Sequence, residues 1–287
     1  MTSQSNNNSS NLKSFKEEIR WNEKVDGLKY TWLDRDNVSL LIYAIGCGYL
    51  FVVKEILKLH DKRKILAWTF PKNGVIDFGI PGYSTCLYAA MGFSSPEIVV
   101  ALLKAGASTS ACDIMGNDSF SAACCMGRLD NVQVWLSRVS NYDINRKNKR
   151  FGATALHITV FIGRNKLKLV RYLVEKCNAD TNVITHMGSS LLHNACENVD
   201  ADPQVVKYLL QNRSNVNYCR TVRTTKSKAL YFLARAYHRV SKSSRILNEL
   251  AFESGCTSLH YVVRSGDVEL TELLLSKNMT RKSTLEC

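Results

Sequence analysis

The chain repeats one pattern, and a repeat restricts the choice of fold more than any single motif can. The plainest copy is Phe151–Asp180, FGATALHITVFIGRNKLKLVRYLVEKCNAD. Gly152 makes a tight turn, and Thr154 stands where a helix N-cap belongs. Ala155, Leu156 and His157 open an apolar helix that stops near Gly163. A second helix, Lys166 to Lys176, carries Leu167, Val170, Leu173 and Val174 on one face at helical spacing. Asn178, Ala179 and Asp180 then leave the helix.

Six more stretches carry versions of this pattern. Ser39–Ala44 opens a helix that breaks near Gly48, and Val52, Val53, Ile56 and Leu57 form its apolar companion. Thr85–Ala90 precedes Pro96–Lys104, and Ser119–Ala123 precedes Val132–Leu136. Ser190–Ala195 precedes Pro203–Leu210. A degenerate copy spans Lys228–Tyr237 and Ile246–Ala251, and the last spans Cys256–His260 and Val268–Leu275. The aligned apolar residues are Leu41, Leu87, Phe120, Leu156, Leu192, Leu230 and Leu259. Most steps between them lie near the ~33-residue period of a repeat made of a turn and two helices.

Leu156–His157, Leu192–His193 and Leu259–His260 keep the Leu-His pair of the signature T-P-L-H-x-A, and here the chain resembles the ankyrin repeat family. The resemblance runs from about Asp34 to Asn278, with about seven repeats, some degenerate. The signature proline is missing throughout. The implied fold is all-α, an ankyrin-repeat solenoid of stacked helix-turn-helix units with finger-like turns along one edge. One short helix pair cannot bury its apolar faces alone, whereas stacked pairs share a continuous core. Ala44, Ala90, Ala123 and Ala195 suit close helix approach. In the family the signature histidine ties neighbouring turns together. On that resemblance His157, His193 and His260 are structural, and translation along a stack does not converge on a metal.

The 287 residues suffice for a large core. The organisation expected is a polar tail at 1–11, a capping helix within 12–33, the repeat domain at 34–278 and a tail at 279–287. An aromatic insertion at 61–82 folds back on the first units or serves recognition. A degenerate basic repeat is placed at about 220–251. No apolar run is long enough to span a bilayer, and MTSQSNNNSSN lacks the character of a secretory signal. Ten cysteines without a CxxC pair read as reduced thiols, buried at Cys47, Cys86, Cys124, Cys125 and Cys196, in a cytoplasmic or nuclear chain. No cofactor is expected.

Common catalytic signatures are missing: GxSxG, GxxxxGK[ST], HExxH and GxGxxG do not occur. A non-catalytic scaffold or adaptor is therefore expected. The resemblance puts the binding surface on the finger turns and the ends of the first helices. The residues selected there are Phe93, Ile114, Met115, Met126, Arg150, Phe151, Phe161, Ile162, Met187, Arg235 and Arg264. That surface is apolar in the centre and basic toward the C-terminus. It suits a protein partner with an apolar anchor and acidic flanks. The formal net charge is +13, and Pro203–Asn248 and Ile144–Val174 contain no Asp or Glu. A nucleic-acid- or anionic-lipid-binding module using 203–248 is the alternative. A third reading is an ankyrin segment of a larger enzyme, channel or ubiquitin-ligase adaptor.

Overall fold

The computed structural model describes residues 37–58, 62–74, 80–163, 165–198, 200–212, 214–222 and 255–283, with 225, 228, 229, 232 and 233 in addition. The tail at 1–11 and the helix expected within 12–33 lie outside them. The described elements are α-helices, one π-helical turn and two isolated bridges, Thr69 with Thr85 and Cys112 with Asp118. They fall into two compact units. One gathers the described residues up to 123 together with 130–140, and the other gathers 124–129 and those from 141 onward.

The first compact unit holds α1 (Asn37–Gly46), α2 (Leu50–Ile56), α3 (Lys62–Ala67), α4 (Cys86–Phe93), α5 (Pro96–Lys104), most of α6 (Ser119–Met126) and nearly all of α7 (Leu129–Arg138). Helix α1 packs on α4 and α2 on α5, so consecutive pairs translate. Leu41, Leu87 and Phe120, the aligned apolar residues, are all fully buried. Ala44, Ala90 and Ala123 are also sealed, as close helix approach requires. Thr85 caps α4 by accepting the Tyr88 N–H at 3.2 Å, and Asp118 caps α6 by accepting the Ser121 N–H at 3.0 Å. Tyr88 stands in the histidine position of its pair. Its hydroxyl donates to Asp113 in the next finger at 3.0 Å.

Helix α3 and the described part of the 61–82 insertion fold back. Phe70 is buried against Ile42 and Ala89, and the Trp68 ring meets it edge-on at 5.0 Å. The Phe70 N–H donates to Ser84 O and the Tyr83 N–H donates to Phe70 O, so the segment is tied down by main chain as well as by packing. Phe78 lies outside the described residues.

The second compact unit holds the last turn of α6 and the pairs α8 (Ala155–Phe161) with α9 (Leu167–Arg171), α10 (Leu191–Glu197) with α11 (Pro203–Gln211), and α12 (Ser258–Ser265) with α13 (Val268–Ser283). Helix α9 runs on into a π-helical turn at Tyr172–Lys176. Helix α8 packs on α10, and α10 packs on α12. His157 and His193 are buried at the turns between pairs. The Thr154 N–H donates to His157 Nδ1, which makes Nδ1 the acceptor and leaves Nε2–H to donate to Val183 O at 3.1 Å. His193 Nε2 reaches Cys256 O at 3.0 Å in the same way. Burial holds both imidazoles at a pKa of about 4, well below the usual 6.5, and the carbonyls of Val183 and Cys256 offset this only in part.

The His193–Cys256 bond joins two fingers that lie on either side of the degenerate repeat expected at about 220–251. The main chain bonds across the same junction: the Arg220 N–H donates to Cys256 O and the Gly255 N–H to Arg220 O, both at 2.8 Å. Helix α10 packs directly on α12, and most of the repeat expected at about 220–251 lies outside the described residues.

Candidate protein-binding surface

Each first helix ends in carbonyls that its own turn cannot satisfy, and the next pair satisfies them with a buried polar side chain. In the first compact unit, Ser94 donates to Ile45 O at 2.8 Å, and Asn131 Nδ2 donates to Met91 O and Ser94 O at 3.0 Å. In the second, Asn198 Nδ2 donates to Gly163 O at 3.0 Å, and Lys166 Nζ donates to Cys125 O. This bonding fixes the helix ends from below and leaves the side chains around them free to face solvent.

Lys166 shows how the local sequence builds the site. A Cβ on Gly127 would stand 3.6 Å from Lys166 Cε, and one on Gly163 would stand 3.8 Å from it. The lysine stem thus passes both glycines and holds the ends of α6 and α8 side by side. Burial lowers the Lys166 pKa, and the neighbouring Cys125 and Cys124 oppose this. The sequence places Lys166 in the acid-free, basic window Ile144–Val174. The structure buries it, because the two glycines open a notch that the stem fills. Arg220, which lies in the acid-free window Pro203–Asn248, is buried too. Its guanidinium donates to Met187 O and Tyr261 Oη and lies 3.8 Å from the Glu197 carboxylate.

At the helix ends flanking Lys166, Met126, Phe161 and Ile162 remain 40%, 42% and 41% exposed. Met126 closes α6, Phe161 closes α8, and Ile162 follows in extended backbone. At the finger edge, exposed Arg150 lies over the Phe151 ring, 5.5 Å from its centroid. Phe151 is half-buried, with its N–H on Asn148 Oδ1 and its carbonyl on the His186 N–H. Met187 is half-buried. Seven residues of α8 separate the two edges, roughly 10 Å at helical rise. The sequence-selected residues of this unit therefore form two clusters: Met126, Phe161 and Ile162 at the helix ends, and Arg150, Phe151 and Met187 at the fingers. Arg264 is exposed in the last turn of α12, and Arg235 lies outside the described residues.

In the first compact unit, Phe93 is exposed at the end of α4 and Met115 is exposed on the finger. Ile114 is half-buried, with its N–H on Gly82 O at 2.8 Å. Asp113, which reading the sequence left out, accepts from the Met115 and Asn117 N–H groups and shapes this turn. An Asp two residues before the tip was the available signal. Among the nine described cysteines all are free. Cys86, Cys124 and Cys196 are buried as expected, but Cys47 is exposed because it sits in the turn after α1, and Cys125 is only half-buried.

Two family models match the chain. Ankyrin repeats in three copies match residues 120–221, and a further ankyrin repeat matches 254–282. Most of the residues between these matches lie outside the described residues. No curated protein matches the chain. No described helix is long and apolar enough to cross a membrane. Ankyrin repeats are generally protein–protein interaction modules, and their domains are typically non-catalytic. The translated helix pairs, the histidine-to-carbonyl bonds between fingers and the matched segments agree: the chain carries ankyrin repeats over residues 120–221 and 254–282.

Proposed function

We propose that the chain is a non-catalytic scaffold or adaptor that grips an apolar anchor of a protein partner with Met126, Phe161 and Ile162. Acidic residues flanking that anchor face the cations of the neighbouring finger, Arg150 foremost. The supporting observation is a contrast in burial. Leu156 and Leu192, the aligned core leucines of the same unit, are sealed, while three large apolar side chains at adjoining helix ends stay in water. Single exposed apolar residues are ordinary, but several large ones at adjoining helix ends are what binding anchors require. The backbone beneath the cluster is already fixed by Lys166 and Asn198, so little ordering cost attends binding.

The alternative, nucleic acid or anionic lipid on 203–248, loses part of its charge to the interior because Arg220 is buried and bonded there. Affinity capture from cell extract with the full chain and with its M126S/F161S/I162S variant tests the proposal. A protein retained by the first and lost by the second, with helicity unchanged, is the expected result. Equal capture by both contradicts it.

A further inference from the structure

The outer face of the pair α1/α2 joins an exposed ring to a run of cations. Val52, Val53 and Ile56 on α2 repeat Ile98, Val99 and Leu102 on α5, and all of them are buried. In that register Phe51, Lys54 and Lys58 take the places of Glu97, Val100 and Lys104. The same column faces water in later pairs: Glu97 and Lys104 are exposed on α5, and Gln204, Lys207 and Gln211 on α11. It is thus the solvent side of a pair and not an uncovered end. Where α5 carries Glu97, α2 carries Phe51, and its ring is 60% exposed. Lys54 and Lys58 are exposed further along the same stripe. Helix α3 begins soon after Lys58, with Lys62, Arg63 and Lys64 all exposed. From 54 to 64 the sequence sets five cations against two carboxylates, Glu55 and Asp61. Glu55 is buried, and Lys58 Nζ donates to it at 2.6 Å.

We propose that this face docks on an anionic bilayer surface, with the Phe51 ring entering the boundary between headgroups and acyl chains and Lys54, Lys62, Arg63 and Lys64 meeting lipid phosphates. Long cationic stems lay their methylenes along apolar surface and keep their charge in the headgroup layer. Charge and ring act in sequence: the cations collect the chain at the surface, and the inserted ring holds it there. A nucleic-acid duplex offers the same phosphates. Both it and the outer side of a helix pair are convex, so few phosphates come within reach at once, whereas headgroups rearrange around a protruding ring. The face also carries no Asn or Gln to read base edges. The proposal is independent of the partner-binding role given to Met126, Phe161 and Ile162.

Co-sedimentation of the full chain with phosphatidylcholine vesicles containing about a third phosphatidylserine tests this. The wild type should pellet with them at about 0.1 M salt and stay in the supernatant with pure phosphatidylcholine. It should be released at about 1 M salt, where the Debye length has fallen to ~3 Å. K62E/R63E/K64E should weaken partitioning about a hundredfold, and F51S about tenfold, each with wild-type helicity by far-UV circular dichroism. K54E, expected to weaken it about fivefold, keeps the test decisive if the triple variant fails to fold. No binding of the wild type to the anionic vesicles overturns the proposal. So does binding indifferent to the charge reversals or to F51S, or capture of duplex RNA at concentrations where the vesicles bind nothing.

Discussion

Arg220 Nη1 donates to the Tyr261 hydroxyl at 2.5 Å, joining the finger after α11 to the first helix of the last pair. Nε of the same guanidinium donates to Met187 O, and the Tyr261 ring lies under its Cζ at 6.0 Å. One buried cation therefore links three successive pieces of the stack at the point where the chain leaves and returns. Its position explains why residues 255–283 stay docked although more than thirty residues intervene in sequence.

Removing Arg220 should loosen the last pair first. R220A leaves Tyr261 Oη and Met187 O without their donor in a buried setting, and this should cost about 3 kcal/mol. Y261F removes one bond and should cost about 1 kcal/mol. Hydrogen exchange reads the difference. Protection in α12 and α13 should fall well before that in α8 under R220A, whereas uniform loss across the compact unit would contradict the linking role.

Acid should weaken the second compact unit through its histidines. His157 and His193 titrate at about 4 when folded, against 6.5 in the unperturbed group. The unfolded chain thus binds protons that the folded chain refuses. Their stabilisation is complete above pH 6.5 and is lost as pH falls from 6.5 toward 4. The loss is at most on the order of 3 kcal/mol for each histidine. Urea midpoints measured across that window should fall for the wild type, and H193Q should be less stable at neutral pH with a shallower acid slope. Equal slopes would contradict the assignment.

Gly188 has φ of +83°, and a Cβ there would lie 2.0 Å from Thr221 O. G188A must bend the finger or displace the next one. Backbone strain alone costs roughly 1–3 kcal/mol, and the clash adds to it. The thermal midpoint should fall by several degrees. An unchanged midpoint would mean that the two fingers are not held in this register.

Lys166 should behave as a packed residue with a cap at its tip. K166M keeps the stem against Gly127 and Gly163 but leaves Cys125 O without its donor, a cost of about 1–2 kcal/mol. K166A loses the stem as well and should cost more. Chemical denaturation ranks the two, and equal stability of both variants with wild type would place the side chain in solvent.

The legible parts of this fold are local. A Thr or Ser three residues before a His or Tyr marks the start of four first helices: Thr85, Thr154, Ser190 and Thr257. The apolar stripe that follows each is decided within a few residues. The parts that could not be read are decided at a distance. The contact between the finger after α11 and the last pair is one of these, made by the bonds of Arg220 and His193 to Cys256, more than thirty residues away in sequence. Lys166 reads as surface because its neighbours in sequence are cations, while the notch that buries it is made by Gly127 and Gly163. The proposed anchors Met126, Phe161 and Ile162 could be selected because helix ends recur with the repeat. Their division from Arg150 and Phe151 follows from the length of α8, which places the two groups at opposite ends.

The central claim is that the fold rests on the buried bonds between helix pairs, and recognition on the apolar helix ends beside them. Titration calorimetry of the captured partner against the full chain and against M126S/F161S/I162S tests it most directly. The account predicts at least a tenfold weaker affinity for the variant, with a thermal midpoint close to wild type. Unchanged affinity, or a collapse in stability comparable to L156A, would contradict it.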